Sequence, residues 1–262
     1  MADSAGMERL LAIMAKLRDP QQGCPWDQAQ TFQSIIPFTL EEAYEVADAI
    51  ERQDWQGLPA ELGDLLFQVV FYAQMAKEQQ RFDFDTVVSS ICDKLVSRHP
   101  HVFADAKIDD LHENWESLKA QERQSRQLIS LLDDIPLALP ALSRAAKIQK
   151  RVARVGFDWD ALAPVAAKVE EELGEVMEEA QQSPANAERL QEEVGDLLFA
   201  VVNLARHVGV NPEEALRQAN HKFERRFRGV EQRVQQSGKP FSEHSLASLD
   251  QFWEQVKQQE RR

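Results

Sequence analysis

The chain of 262 residues is 43% hydrophobic and carries a formal net charge of -14. That acidity repels a nucleic-acid backbone, which argues against DNA or RNA binding as the main role. Two cysteines, Cys24 and Cys92, are too few for a disulfide scaffold and sit in no CxxC or Cys/His pattern; both are read as buried or neutral thiols. Gly and Pro are sparse, whereas Glu, Gln, Ala, Leu, Lys and Arg, the strong helix formers, dominate. Composition therefore predicts an all-α protein.

Along the chain, Met1 to Arg18 places Asp3 and Glu8 among its apolar residues and lacks the basic-then-apolar layout of a signal peptide. Within it Leu10, Ile13, Met14 and Leu17 form a helical stripe that Pro20 ends. Pro59 is a helix-start signal ahead of Glu61-Leu-Gly-Asp-Leu-Leu-Phe-Gln-Val-Val. Apolar stretches such as Leu65–Ala73, interrupted by Gln68, are too short to span a bilayer. A soluble cytoplasmic protein with no membrane partner is expected. Residues 127–139, with Pro136 and Pro140 as breakers, read as a linker; Leu128, Ile129, Leu131, Leu132 and Ile135 predict that it packs against a domain. Ser183-Pro184 reads as a second start signal, Asn211-Pro212 as a third, and Ser237-Gly238 as a helix stop.

The chain repeats itself. Glu193-Val-Gly-Asp-Leu-Leu-Phe-Ala-Val-Val restates the segment at Glu61 almost letter for letter. Trp253-Glu-Gln-Val-Lys-Gln-Gln-Glu-Arg restates Trp115-Glu-Ser-Leu-Lys-Ala-Gln-Glu-Arg, and Gly156-Phe-Asp-Trp-Asp resembles Gly23-Cys-Pro-Trp-Asp. The same order in both halves points to a duplicated domain. The predicted organisation is a helical domain over 1–126, the linker 127–139 and a second helical domain over 140–262, each a small bundle.

The chemistry lies in an E-E-x-x-E then E-x-x-D pattern. It reads Glu41, Glu42, Glu45, Glu61, Asp64 in the first copy and Glu171, Glu172, Glu175, Glu193, Asp196 in the second. Residues three apart share a helix face, so Glu172 with Glu175 and Glu193 with Asp196 can meet between two antiparallel helices. Carboxylates about 4 Å apart repel by roughly 4 kcal/mol at an effective dielectric near 20, so either protonation or a cation must relieve them. An all-oxygen donor set suits Mg2+. Thr39-x-x-Glu42 offers a blander account as a capping box, which has no counterpart before Glu172. No histidine has a glutamate three positions before it, which argues against a di-iron centre.

Basic residues follow each carboxylate set: Lys94 and Arg98 in the first copy, Lys222, Arg225 and Arg226 in the second. Within an acidic chain they suit an anionic ligand; in one copy alone helix salt bridging accounts for them equally well, and their recurrence in both copies favours phosphate. Lys168 and Arg189 each stand four residues before a cluster acid and either reach phosphate oxygens or pair with that acid. Trp253 either stacks a base or belongs to a core. There is no P-loop, G-x-G-x-x-G, G-x-S-x-G or zinc pattern.

The paired acidic motifs, the Gly-Asp-Leu-Leu-Phe run and the Lys-Phe-x-Arg-Arg segment together resemble the MazG family over nearly the whole chain. The resemblance implies an all-α fold, homodimeric assembly, and Mg2+-dependent hydrolysis of nucleoside triphosphates to monophosphates and pyrophosphate. It implies metal ligation by Glu172, Glu175, Glu193 and Asp196. It implies nucleotide contacts at Lys168, Glu171, Lys222, Arg225, Arg226 and Trp253. The first copy departs by having Ser97 where the second has Arg225 and Gly57 opposite Arg189, so the second copy is expected to carry most of the activity. The competing class is a non-catalytic helical regulator that binds nucleotide or a partner protein. The preferred base, the general base (Glu171 or Glu172) and the activity of the first copy stay open at this level.

Overall fold

A computed structural model describes residues 4–104, 129–184 and 186–260. Every regular element among them is helical, and the chain divides into two compact units, Met1–Lys119 and Ala120–Arg262. The Trp115 motif of the first copy lies outside the described residues.

The first unit contains α1 (Ser4–Leu17), α2 (Pro25–Ala29), α3 (Phe32–Glu51), α4 (Leu58–Glu78), α5 (Phe84–Arg98) and the short α6 (Pro100–Phe103). Local chemistry sets the ends. Thr31 and Ser34 form a reciprocal capping box at the start of α3, with Thr31 Oγ1 accepting from the Ser34 N–H at 3.2 Å. Thr39 lies inside α3 instead, where its hydroxyl contacts the Ile35 carbonyl and the Tyr72 hydroxyl, so capping does not explain Glu42. Pro59 sits in the first turn of α4, where no N–H is missed. The core of this unit is Met14, Ile35, Val70, Phe71 and Met75, with Phe38 and Phe67 packed against it.

The second unit contains α7 (Ala141–Ala153), α8 (Leu162–Gln181), α9 (Ala187–His207), α10 (Pro212–Ser237), a 3-10 turn (Phe241–Glu243) and α11 (Leu246–Glu260). Helices α8 and α9 form an antiparallel hairpin, α7 lies against α9, and α10 pairs with α11 over Val230, Val234 and Val256. Asn211 caps α10 by accepting from the Glu213 and Glu214 N–H groups, and Gly238, at φ +72°, closes it. The start of α9 is set differently from expectation. It begins beyond Ser183-Pro184, at Asn186, whose side chain accepts from the Glu188 and Arg189 N–H groups. A side-chain oxygen that satisfies two orphan N–H groups defines a helix start more directly than a nearby proline.

In the segment before α7, Ile135 is buried, and Arg151 holds the Leu131 carbonyl at 2.7 Å and the Asp134 carboxylate at 2.5 Å. Ile129 and Leu137, by contrast, face outward. Cys24 is half-buried and Cys92 exposed, both as free thiols. No helix among the described residues is long and apolar enough to cross a membrane.

Candidate active site

The α8–α9 hairpin brings Glu172, Glu175 and Glu193 together, with one carboxylate oxygen of each within 4.8 Å of the others. Glu172 and Glu193 are buried, at 5% and 9% exposure, while Glu175 is open to solvent. At 4.8 Å each charge pair costs roughly 3.5 kcal/mol at an effective dielectric of 20. Partial loss of hydration at its carboxyl first, although the residue as a whole is exposed, and then the charges of Glu172 and Glu193, push Glu175 up from its ordinary value. Glu172 Oε2 is buried with no hydrogen-bond partner. A buried carboxylate oxygen without a donor is costly unless a cation completes it. A donor set made only of carboxylates fits Mg2+.

Two cations already lean on the cluster. Lys168 Nζ lies 2.6 Å from Glu172 Oε1 and 2.7 Å from Glu171 Oε1, and hydrogen bonding to Glu171 and then Glu172 pushes its ammonium group up. Arg189 donates to Glu179 Oε1 at 2.9 Å and to Glu193 Oε1 at 3.3 Å, so it pairs with acids in this structure. Glu179 was missed by sequence reasoning, although its spacing exposes it: positions 172, 175 and 179 follow the i, i+3, i+7 pattern of one helix face. It is buried, and its second oxygen has no partner.

Asp196 stands one turn beyond Glu193, outside the close triad, and lines a cavity of about 670 Å3 that also touches Glu172 and Lys168. The cavity is walled mainly by apolar groups, among them Val165, Phe157, Trp159 and Phe199, with Gln149, Asn203 and Arg206 as polar contacts. Its size falls inside the range of roughly 300–1,000 Å3 usual for small-molecule sites. Trp159 belongs to the repeated Gly156-Phe-Asp-Trp-Asp lead-in, which was the available sequence signal for this wall. Gln149, Asn203 and Arg206 had none.

Lys222, Arg225, Arg226 and Trp253 are placed elsewhere, on α10 and α11, and none of them lines that cavity. Glu260 clasps both arginines, accepting from Arg225 Nε at 2.7 Å and Arg226 Nε at 2.8 Å. The two guanidinium groups hold the Glu260 carboxyl down at about 2. Trp253 is half-buried against Val230, Val234 and Val256, with Phe223 at 5.2 Å and the Arg226 guanidinium at 5.9 Å from its ring. Packing therefore accounts for Trp253 in this structure.

The first unit reproduces the triad with Glu42, Glu45 and Glu61. Burial first, and then the charges of Asp64, Glu45 and Glu41, push the Glu42 carboxyl up. Its surroundings differ. In the repeat register Phe38 stands where the second copy has Lys168, and Phe71 where it has Asn203. Phe71 is fully buried and Phe38 packs edge-on against Trp26, so aromatic rings occupy the positions that are polar in the second unit.

A tandem pair of all-helical units, each with a carboxylate triad able to hold a cation on its central hairpin, defines a duplicated helical carboxylate-cluster protein. The chain belongs to the MazG family: the model of the MazG nucleotide pyrophosphohydrolase domain matches residues 30–103 and again 163–230. It is 57% identical over 257 residues to the nucleoside triphosphate pyrophosphohydrolase of Escherichia coli (strain K12), covering 97% of this chain and 98% of that protein. It is 42% identical to the nucleoside triphosphate pyrophosphohydrolase/pyrophosphatase MazG of Thermotoga maritima, with 95% of each chain covered. An uncharacterized protein, YabN of Bacillus subtilis, is 43% identical over 96% of this chain and 51% of its own length.

Proposed function

We propose that this enzyme hydrolyses nucleoside triphosphates to nucleoside monophosphates and pyrophosphate, that it requires Mg2+ and that it accepts several bases. The observation that carries the reading is the buried, unpartnered Glu172 oxygen, which belongs to a three-carboxylate cluster while Glu172 also lines a cavity of about 670 Å3. Glu172, Glu175, Glu193 and Asp196 are the residues to hold the metal. Bound there, Mg2+ would supply neutralisation of the triphosphate charge and a more acidic water.

The chain's own groups divide the remaining work. Lys168 fixes Glu172 and Glu171 through one ammonium group, which orients both carboxylates. With Glu172 held by Lys168 and among the residues that would hold the metal, Glu171, exposed and with one oxygen outside its ion pair with Lys168, is the group left to accept a proton from water. Lys222, Arg225 and Arg226 are assigned to the leaving pyrophosphate. For the two arginines this requires phosphate oxygens to replace Glu260, an exchange of one anion for a more highly charged one. Arg189 keeps Glu193 and Glu179 in place at the far side of the cluster and reaches phosphate only by leaving them.

Incubation with a panel of ribo- and deoxyribonucleoside triphosphates and Mg2+, followed by separation of products, tests the reaction. Monophosphate and pyrophosphate are expected in equimolar yield from most of the panel. Diphosphate and phosphate would reassign the bond cleaved, turnover of a single base would refute the breadth, and no turnover would refute the enzyme reading.

We also propose a homodimer and a cytoplasmic location. Leu173 and Met177 on α8, with Val194, Leu198 and Val201 on α9, leave apolar side chains exposed along the hairpin. Light scattering is expected to return twice the 29.9 kDa chain mass, and Leu198→Lys is expected to shift it toward the single-chain value. A monomer at micromolar concentration rejects the dimer. Cell fractionation tests the location, and recovery with the membrane pellet rejects it.

A further inference from the structure

We propose that Glu179 is a positioning residue of the metal site: its carboxylate parks the Arg189 guanidinium beside the acidic cluster and so keeps the cluster open to a dication. The proposal rests on the Mg2+ reading above and adds how a cluster that attracts cations is kept from being filled by the chain's own arginine. Glu179 lies one turn beyond Glu175 on α8, and Arg189 lies one turn before Glu193 on α9, so their ion pair spans the hairpin next to the triad. Glu179 is 8% exposed; its Oε1 accepts from Arg189 Nε at 2.9 Å, and its Oε2 is buried without a partner. The same guanidinium reaches Glu193 Oε1 at 3.3 Å. N–H donors bond best at about 2.9–3.0 Å, so Glu179 is the anchor and Glu193 the looser contact. The guanidinium is a rigid planar fork, and fixing its Nε fixes where its other nitrogens point.

Arg189 needs such an anchor. Its side chain is 56% exposed, and Glu193, its other partner, has an oxygen within 4.8 Å of those of Glu172 and Glu175. A guanidinium drawn in among these acids relieves the same repulsion that a dication relieves, and the two exclude one another. The duplication shows that packing of the hairpin does not call for the carboxylate. In the repeat register Ala49 stands where the second copy has Glu179, and Gly57 where it has Arg189, while Glu42, Glu45 and Glu61 still form a triad. Ala49 is 1% exposed, so the first unit fills with a methyl group the position that the second fills with a charge. A buried carboxylate with one oxygen unpaired is a costly way to fill a core. The acid is present where the arginine is present and absent where it is absent, which ties Glu179 to Arg189 and not to the helix.

The test follows the Mg2+ concentration that gives half of the full rise in Tm, with no triphosphate present. Glu179→Ala is expected to raise that midpoint by roughly tenfold, the scale on which losing a residue that orients a metal site acts. Adding Arg189→Ala to Glu179→Ala removes the guanidinium that has been released, and is expected to bring the midpoint back to within a few-fold of wild type. An unchanged midpoint in Glu179→Ala overturns the proposal, and so does a raised midpoint that Arg189→Ala fails to restore. Glu178→Ala removes the same charge from an exposed neighbour and is expected to leave the midpoint within a few-fold of wild type. A shift there equal to that of Glu179→Ala means that net charge alone acts, and overturns the parking role. Should Glu179→Ala fail to fold, Glu179→Gln, which keeps the volume and loses the charge, is put to the same comparison, with the same rise and the same rescue expected. Lack of either overturns the proposal. A wild type whose Tm does not respond to Mg2+ refutes the metal reading itself, and the proposal falls with it.

Discussion

Glu193→Gln is expected to reduce kcat by roughly 10²–10³-fold, the scale on which removing one preorganised charged or polar partner from a reacting centre acts. The substitution preserves volume and one hydrogen-bonding oxygen, so Arg189 retains an acceptor and helix α9 keeps its packing. What it removes is one of the two buried negative charges of the triad, and with it the affinity for a hard dication. A second measurement separates metal binding from chemistry. Saturating Mg2+ should raise the Tm of the wild type, since a ligand that binds only the folded state at about 100 times its Kd stabilises by roughly 2.7 kcal/mol. In Glu193→Gln that rise is expected to shrink or vanish, with the Tm in chelator at least as high as that of the wild type, because a repulsive pair has been relieved. Activity within a few-fold of wild type at saturating Mg2+ would falsify the assignment of Glu193 as a ligand.

The parts of this architecture that were legible from sequence are those carried by local signals. Asn211 and Gly238 bound α10 because a side-chain cap and a left-handed residue act on their immediate neighbours. The triad was legible because Glu172 and Glu175 are three apart on one helix and the repeat supplied Glu193 on the next. At the start of α9 the Ser183-Pro184 signal is overridden by Asn186, since a proline only favours a helix start whereas an asparagine oxygen satisfies its N–H groups. Long-range partners were not legible. Nothing within α10 shows that Glu260, 34 and 35 residues on, closes Arg225 and Arg226, or that Gln149 meets the Phe199 carbonyl 50 residues away. Such partnerships exist only once the helices are packed. The same limit hid the position of Asp196, which shares a face with Glu193 yet lies outside the close carboxylate group and faces the cavity with Lys168.

The sharper test concerns the duplication. Glu61→Gln and Glu193→Gln alter equivalent residues of two triads, and by carboxylate count alone they should be equally damaging. The surroundings argue otherwise. In the second unit Glu172 is braced by Lys168 and Glu193 by Arg189, and Glu172 lines a cavity that Gln149 and Asn203 also border. In the first unit the matching positions are Phe38 and Gly57, and Phe71 stands fully buried where Asn203 borders the cavity. Core filling and substrate binding compete for the same space, and Phe71 with Met14, Ile35, Val70 and Met75 commits it to the core. Triphosphate charge must also be met by fixed cations, of which the second unit has more. We therefore propose that the second unit carries the reaction and the first is a structural or regulatory repeat. Glu61→Gln is expected to retain more than half of the wild-type kcat/KM on every triphosphate of the panel, while Glu193→Gln loses nearly all of it. Circular dichroism on both variants confirms that helix content is intact before rates are compared. A folded Glu61→Gln that is the more damaged of the two would move the active centre to Glu42, Glu45 and Glu61, and would mean that the aromatic rings around that triad are part of a nucleotide site and not a replacement for one.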